Sequence, residues 1–361
     1  MDSILPSGGP RFDRSDPGRP DQPWDPEHHR LHRHLLQHPA LLPQGSRLLL
    51  AVSGGQDSMA LLRLLQDLKR LHQWHLHLWH GDHGWHDGAA TTAKELASWI
   101  KASGCSLAID RADPLTDGAG TEAGARRWRY DTLLARARQL DCSHVVTGHT
   151  ASDRAETLML NLARGSHRRG LASLRPSRPL AEKQLSRPLL IFSRQETAAM
   201  ARRWELPVWW DPSNDNLGLE RNRLRMEVMP ILDRLHPGVE RRLAALAERL
   251  ADEEDGRSEL TDLALAALRR EDGSLALERL RSLGLSSQRR LVQAWLELHT
   301  GRQLKATSLE RLLARLASQA SSGTMDLAGD WRLHWRGHTL SLTPSSSPPA
   351  ADDPERQQPG P

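Results

Sequence analysis

Short apolar runs alternate with longer segments of helical period over the first half of the chain. Four runs have the length and composition of buried strands: Leu48–Val52, Trp74–His80, Cys105–Asp110 and Ser143–Thr147. The segments between them predict three helices: Ser58–Leu71, Asp87–Ser103 and Thr121–Leu140. Strands that alternate with helices favour a parallel sheet with helices on both faces. The first half is therefore predicted to be an α/β domain.

The pattern changes after Pro207. Helices are predicted at Arg221–Leu235, Val239–Asp252, Ser287–His299 and Ser308–Gln319, and Asp326–Leu342 alternates as short strands. We therefore predict an α/β domain at 27–222 and a smaller, mostly helical domain at 223–342. Residues 1–26 and 343–361 are rich in Pro, Gly, Ser or Asp, and their composition predicts disordered tails.

Composition excludes several classes of protein. The 361 residues are 38% hydrophobic, and no apolar stretch approaches the roughly 20 residues that cross a bilayer. No membrane association is expected, and because the N-terminus lacks the apolar segment of a signal peptide, we expect a cytoplasmic location. The two cysteines, Cys105 and Cys142, are too far apart to form a CxxC motif, and we expect both to be buried small residues.

Positive charge is concentrated in the middle of the chain. Residues 121–250 contain 22 Arg and one Lys against 15 Asp and Glu, although the whole chain has a net charge of only +4. Guanidinium groups bind phosphates in bidentate pairs, so this stretch suits RNA or another polyanion. A general preference for arginine is the alternative, because the chain contains few lysines. Charge alone leaves both explanations open.

The strongest candidate for chemistry directly follows the first strand: Ser53-Gly54-Gly55-Gln56-Asp57-Ser58. Glycines let the backbone approach a ligand closely, and N–H groups at the start of the next helix face an anion. The serines add hydroxyl donors, and Asp57 can hold a metal ion that bridges phosphates. The Walker pattern, with its lysine on the β- and γ-phosphates, is not found here. The segment is therefore predicted to bind phosphate.

Further polar clusters follow the other predicted strands, where ligands bind in parallel sheets. In His80-Gly81-Asp82-His83-Gly84 an acid lies between two histidines. A zinc site is one interpretation. A role for Asp82 with Mg²⁺–ATP or with a substrate amine is favoured, because the residues are adjacent on a turn and the chain has 18 histidines.

Two clusters have helical spacing. Glu122, Arg126 and Arg129 share one face of a predicted helix, where a surface salt-bridge ladder is the alternative to a site. Asp153 and Glu156 present two carboxylates side by side near the phosphate segment. They could bind Mg²⁺ or a cationic amine, and an ordinary amphipathic helix is the alternative.

The last clusters are basic or form turns. Arg164 opens a basic loop, and the turn Asp211-Pro212-Ser213-Asn214 precedes Arg221-Asn222-Arg223-Leu224-Arg225. Trp209 and Trp210 lie beside that turn. They could stack on a base or pack in the core, and core packing is favoured.

As an ordered set, these segments resemble the tRNA(Ile)-lysidine synthetases, a family of PP-loop enzymes that modify the wobble cytidine of an isoleucine tRNA. The resemblance is carried by S-G-G-x-D-S, H-x-D-H-G, E-x-x-A-R-x-x-R-Y, GH-x-x-x-D-x-x-ET, N-x-x-RG and D-x-SN…RN-x-x-R. It extends from about Leu48 to Leu232 and more loosely beyond. The family usually has His and Asp where this chain has Thr150 and Ser152. The resemblance implies a Rossmann-like PP-loop domain followed by a substrate-binding domain.

The resemblance also implies the reaction. Free lysine would be ligated to C2 of the wobble cytidine of the CAU-anticodon tRNA(Ile) through an adenylated cytidine, with release of AMP and pyrophosphate. The codon read would change from AUG to AUA. ATP and Mg²⁺ would be the cofactors, tRNA(Ile) and L-lysine the partners, with a homodimer left open. The rival is a PP-loop tRNA thiolase, which needs reactive cysteines or a cluster.

Individual roles follow from the same resemblance. Residues 53–58 would bind ATP, with Mg²⁺ at Asp57. Asp153 and Glu156 would hold the amines of lysine, Arg126 its carboxylate, and Asp82 would lie close to the reacting groups. The implied contacts to lysine or tRNA are His149, Arg129, Arg164, Asn214, Arg221, Asn222 and Arg225.

Overall fold

The computed structural model describes residues 24–84, 88–113, 121–317, 322–327 and 331–345, without the side chain of Glu122. The chain divides into two compact units between Asp252 and Glu253. This division lies beyond the predicted boundary at 222/223, because Leu224 and Met229 pack in one cluster with Ala155 of the first unit. Most of both predicted tails lies outside the described residues. No helix in the described ranges is long and apolar enough to cross a membrane.

The first unit contains six strands. They are β1 (Arg47–Ala51), β2 (His75–Asp82), β3 (Leu107–Arg111), β4 (His144–Val146), β5 (Ser177–Leu180) and β6 (Lys183–Ser186). The sheet has the order β3-β2-β1-β4-β6-β5. All neighbours pair in parallel except β5, which is antiparallel to β6. The predicted parallel sheet is confirmed. The pattern of apolar residues does not predict β5 and β6, because both strands are short and polar. Pro179 is tolerated in β5 because this strand lies at the edge of the sheet.

Ten helices accompany this sheet within the described residues. They are α1 (Pro26–Gln37), α2 (Gln56–His72), α3 (Ala89–Ala102), α4 (Glu122–Gln139), α5 (Ala151–Ala163), α6 (Arg168–Leu171), α7 (Arg194–Arg203), α8 (Glu220–Arg223), α9 (Met229–Leu235) and α10 (Val239–Leu268). A π-helical turn joins α8 to α9, so one predicted helix is three consecutive segments. The predicted helix at Val239–Asp252 continues to Leu268 as α10.

The apolar run of β1 is buried on both faces of the sheet. Leu48 and Leu50 belong to the core that includes Leu61 of α2. Leu49 points the other way and packs with Leu133 of α4 and Val145 of β4. Side chains alternate between faces along a strand, so a continuous apolar run requires a layer on each side. The prediction of a two-sided sheet is confirmed.

The second unit has its own core. Its helices are α11 (Leu277–Arg281), α12 (Leu285–Thr300) and α13 (Ala306–Ala317), and its strands are β7 (Leu275–Ala276), β8 (Ser322–Leu327), β9 (Trp331–Arg336) and β10 (Thr339–Pro344). The strands form an antiparallel sheet in the order β7-β10-β9-β8. Trp295 and Trp335 are buried in the core between helices and sheet. The predicted helices α12 and α13 are confirmed, as are the strands near the end of the chain.

Candidate active site

The loop between β1 and α2 has the backbone of a phosphate site. Gly54 has a φ of 86°, which disfavours a residue with a side chain, and its carbonyl accepts a hydrogen bond from Trp209 N at 3.0 Å. Helix α2 begins at Gln56, and in the described part of the chain no side chain caps its start. The first N–H groups of α2 therefore point outward, with the positive end of a 17-residue helix behind them.

The two serines of this loop have different roles. Ser58 is buried; its Oγ donates to the carbonyl of Gly55 at 2.9 Å and accepts from the N–H of Ser53 at 3.1 Å. Ser53 is exposed and its Oγ lies 3.1 Å from Ser58 Oγ. Ser58 thus fixes the shape of the loop, whereas Ser53 remains accessible to a ligand.

A second segment reaches the loop from the end of β4. A Cβ added to Gly148 would lie 3.2 Å from the backbone carbon of Asp57 and from the Cα of Ser58. Only glycine allows this close approach, since backbone atoms cannot move aside. Gly148 therefore allows the start of α5 to lie directly against the phosphate loop. Asp153 and Glu156 belong to this part of α5.

Three carboxylates and three guanidiniums form one cluster at this edge of the sheet. Arg194 Nη2 bonds Asp153 Oδ1 at 2.7 Å, and its Nη1 bonds Glu156 Oε1 at 2.8 Å. Its Nε lies 3.5 Å from Asp57 Oδ2. Arg194 thus connects the carboxylate of the phosphate loop with both acids of α5. Asp57, Asp153 and Glu156 therefore converge as predicted, and the residue that joins them, Arg194, was not among the predicted site residues.

Two further arginines complete the cluster. Arg221 bonds Glu156 Oε2 through Nε at 2.7 Å and Asp153 Oδ1 through Nη2 at 2.9 Å. Arg225 bonds Glu156 Oε1 at 2.8 Å and Oε2 at 3.1 Å. Each oxygen of Glu156 therefore accepts two hydrogen bonds from guanidiniums. Asp153 Oδ2 accepts from the N–H and the hydroxyl of Thr150, which caps α5.

Burial and ion pairing act against each other on these acids. Burial would raise the pKa of Asp153, but the charges of Arg194 and Arg221 hold it below its usual value. Burial likewise opposes the lowering of the Glu156 pKa by the hydrogen bond from Arg225 and the charge of Arg194. Both acids are therefore ionised, and each is paired with at least two guanidiniums.

Asp57 behaves differently. Burial raises its pKa, and the charge of Arg194 and a hydrogen bond from the Thr197 hydroxyl oppose this rise only in part. Its carboxylate therefore depends on Arg194 for its charge. A cation at this position would stabilise the ionised form further.

His149 lies beside the acids of α5. Its Nδ1 is 2.9 Å from Thr147 Oγ1. Burial lowers the pKa of His149 to about 3, and the guanidiniums of Arg187, Arg221 and Arg126 act in the same direction. The imidazole is therefore neutral near pH 7. The guanidinium of Arg126 itself lies 5.2 Å from the ring of Tyr130 and is exposed.

The segment at the end of β2 is bound mainly to protein groups. His80 Nδ1 is 2.8 Å from the carbonyl of Val52, which precedes the phosphate loop. Asp82 is 4% exposed and accepts a hydrogen bond from Gly84 N at 2.8 Å. His83 Nε2 lies 2.8 Å from Arg129 Nη2, and burial with the Arg129 charge lowers the His83 pKa to about 4. The segment thus holds Arg129 beside the end of the second strand.

The remaining predicted residues lie around the cluster. Asn222 is buried and donates to the carbonyls of Ser213 and Asn216 at 2.9 and 3.0 Å, so it holds the turn that contains the exposed Asn214. Arg164 is exposed and pairs with Glu220. Trp209 packs against Gly54, whereas Trp210 is 65% exposed, so the favoured core assignment is confirmed for Trp209 and wrong for Trp210.

The sequence contains a helix-capping signal that could have identified Arg194 as a residue at the start of a helix. Ser193 N donates to Glu196 Oε2 at 2.7 Å, and Glu196 N donates to Ser193 Oγ at 3.2 Å, which is the capping box that S-x-x-E predicts. That signal places Arg194 in the first turn of α7. Its side-chain partners had no such signal, because they lie about forty or more residues away.

The loop also fits a magnesium ion held together with phosphates. Mg²⁺ uses one or two protein carboxylates and completes its shell with phosphate and water oxygens. Asp57 supplies one carboxylate at the open start of α2. In the part of the chain that the structure describes, no group of three or more His, Cys, Asp or Glu side chains could hold a metal alone. Such a loop suits the phosphates of a nucleotide.

The cysteines lie apart from this chemistry. Cys142 is buried in the core on the α4 side of the sheet, and burial raises the pKa of its thiol to about 11. Cys105 is only half-buried, so the expectation of a buried residue is confirmed for Cys142 and wrong for Cys105, whose Sγ accepts a hydrogen bond from Gln66 at 3.4 Å. A protonated thiol is a poor nucleophile and metal ligand, so Cys142 is unsuited to sulfur transfer.

The chain is similar to known proteins over most of its length. The family model of the PP-loop domain matches residues 27–232. A tRNA(Ile)-lysidine synthase of Parasynechococcus marenigrum is 52% identical over 90% of this chain and 96% of its own length. One from Prochlorococcus marinus is 41% identical over 89% of this chain and 97% of its own length.

A solved structure has a similar fold. The U34-tRNA thiolase NcsA from Methanococcus maripaludis, which carries a [4Fe-4S] cluster, matches 63% of this chain and 78% of its own chain with a TM-score of 0.53. At 19% identity this likeness concerns the fold alone.

Proposed function

Because the chain belongs to the tRNA(Ile)-lysidine synthase family, we propose that it uses ATP to join free lysine to C2 of the wobble cytidine of the CAU-anticodon tRNA(Ile). Cytidine O2 attacks the α-phosphorus of ATP, and pyrophosphate leaves. The neutral ε-amine of lysine then attacks C2, loses a proton, and AMP leaves. The product reads AUA instead of AUG.

One observation carries this proposal. Arg194 connects Asp57 of the phosphate loop with Asp153 and Glu156 at the start of α5. A ligation with two substrates needs the activating nucleotide and the amine side by side. The arginine connection supports placing the two at one edge of the sheet. The phosphate loop supplies N–H donors where charge grows on the departing pyrophosphate.

We propose that lysine binds at the cluster by displacing an arginine side chain from one of the acids. Its ammonium would replace a guanidinium on Asp153 or Glu156, which keeps the charge of the cluster balanced. The exposed Arg126 would receive the carboxylate, and the neutral His149 interacts electrostatically with both Asp153 and Arg126. A carboxylate released from its arginine could also take the proton that the amine loses. Mg²⁺, when bound at Asp57, would neutralise charge on the phosphates.

The tRNA is proposed to contact both units. In the first unit, the candidate contacts are Arg129, Arg164 and the turn at Asn214, with Asp82 near the reacting groups. The second unit, like the predicted helical domain, is proposed to bind other parts of the tRNA. Shape and single-stranded bases would provide specificity, as is usual in RNA recognition.

The direct test is lysine incorporation. Purified protein is incubated with labelled lysine, Mg²⁺–ATP and unmodified CAU-anticodon tRNA(Ile), and acid-insoluble label is counted. We expect label in this tRNA, and none when the wobble cytidine is replaced by uridine or when ATP is omitted. Absence of label in the complete reaction, with protein that binds ATP, would overturn the proposal.

The thiolase alternative has a separate test. We expect Cys105→Ser and Cys142→Ser, alone and together, to keep lysine incorporation within about threefold, because neither thiol lies in the described site. Thermal unfolding serves as the control, since a buried Cys142→Ser change can cost stability. A folded double variant without any activity on tRNA would favour sulfur chemistry instead.

A further inference from the structure

A groove with arginine side chains lies on the far side of α5 from the acid cluster. Its volume is about 400 Å³. Residues 30, 33, 34 and 37 of α1 form one wall, and residues 241, 244, 245 and 248 of α10 form the other. Both sets have the spacing of a single helix face. The floor comes from Ala151 and Arg154 of α5 and from the 3₁₀ turn at Pro188–Ile191.

Arg154 on the floor has unused hydrogen-bonding capacity. It is 3% exposed; its Nη1 lies 3.4 Å from Glu248 Oε1 and its Nε 3.3 Å from the carbonyl of Leu174. Its Nη2 is buried and has no hydrogen-bond partner within the described structure. A buried guanidinium donor without a partner is costly. Because Arg154 lines the groove, an anion bound in the groove is a candidate partner for this donor.

The walls add further positive charge. Arg33 and Arg241 are exposed and, within the described ranges, have no ion-pair partner, whereas Arg30 is paired with Glu196 at 2.6 Å. The acids of the groove are Glu196 and Glu248, fewer than its four arginines. Burial lowers the pKa of His34, so the imidazole is neutral near pH 7 and does not change the charge of the groove. The groove therefore has an excess of guanidiniums that suits an anion.

The lining also selects among anions. Apart from the imidazole of His34, it has no aromatic ring on which a base could stack. A nucleotide would leave its base without a partner there, whereas a backbone phosphodiester needs only charge and N–H donors. Arg33 and Arg241 line the groove and are exposed, so a phosphate in the groove can reach both from solvent.

We propose that this groove binds backbone phosphates of the RNA substrate through Arg33, Arg154 and Arg241. This rests on the proposed function, which makes tRNA the substrate. Arg154 directly follows Asp153 on α5, and Ser152 Oγ accepts a hydrogen bond from Arg194 N at 2.8 Å. A phosphate held on this side of α5 would fix the strand relative to the cluster on the other side.

The test uses the two exposed arginines, because their removal leaves the core intact. Binding of an anticodon stem-loop RNA is measured over a range of salt concentrations for Arg33→Ala, Arg241→Ala and the double variant. We expect each change to weaken binding roughly tenfold near 0.1 M salt, and to reduce the salt slope by about one. Arg202→Ala, an exposed arginine of α7 outside the groove, is the matched control and should change binding less than twofold.

Lysine incorporation by the same proteins separates the two proposals. If the wild-type protein incorporates no lysine, the proposed function fails. If it does, and both groove variants bind RNA as the wild type does, the groove assignment fails. Inorganic phosphate is titrated in parallel. If the Arg33 and Arg241 variants lose phosphate binding but keep RNA binding, the groove is a site for free phosphate. That result would also overturn the assignment.

Discussion

Glu156→Ala is expected to destabilise the first unit by about 3–5 kcal/mol and to abolish lysine incorporation. Glu156 is 2% exposed and accepts four hydrogen bonds from three arginines. Without Glu156, the three partly buried guanidiniums of the cluster would have only the carboxylates of Asp57 and Asp153 as partners. The free-energy cost of this unbalanced charge would exceed that of the lost hydrogen bonds. Chemical denaturation, followed by circular dichroism, measures the loss of unfolding free energy.

The control for this result is an ion pair of similar geometry on the surface. Glu182 accepts from Arg138 Nε at 2.6 Å and Nη2 at 2.9 Å, and both side chains are at least half exposed. Glu182→Ala should cost less than about 1 kcal/mol, because solvent screens exposed pairs. A Glu156→Ala protein as stable as Glu182→Ala would contradict the structural role. If it also bound ATP normally but not lysine, Glu156 would act only on the substrate.

Arg194→Ala is expected to lower kcat/KM for ATP roughly 100- to 1000-fold, the range seen when a preorganised electrostatic contact is removed from an active site. Arg194 is the main positive charge beside Asp57, whose pKa is already raised by burial. Its loss raises that pKa further. Asp57 then stays protonated to a higher pH, and the acidic limb of the pH–rate profile moves upward.

The pH profile distinguishes this role from a purely structural one. A variant that merely unfolds loses activity at all pH values alike, whereas the loss at Arg194→Ala should diminish as the pH rises. Arg194→Lys keeps one positive charge and should recover part of the activity near neutral pH. Arg203→Ala, in the last turn of the same helix and paired with Glu27 on the surface, is the matched control. An unchanged acidic limb in Arg194→Ala would contradict the proposed coupling.

Much of the fold could be predicted because its signals are local. The apolar run of β1 requires cover on both faces, and the helices after β1, β2 and β3 follow from periodicity alone. The strands β5 and β6 were missed because each is only four residues long and contains no apolar run. Strand β5 lies at the edge of the sheet, where no such run is needed. The predicted boundary at 222/223 and the division by contacts after Asp252 differ because residues 223–252 have helical patterns typical of either unit. Packing of this segment against α5 places it with the first unit.

The sequence by itself determined the phosphate loop and the identity of the two acids of α5. Gly54, the start of α2 and the pair Asp153 and Glu156 are defined by neighbours in the chain, so pattern and spacing suffice. Only the tertiary structure decided what surrounds them. Arg194 comes from beyond β6, and its pairing with Asp57 depends on β6 lying beside β4. The sequence does not indicate which acid a given arginine pairs with, because the energy of an ion pair depends on distance and burial in the folded protein.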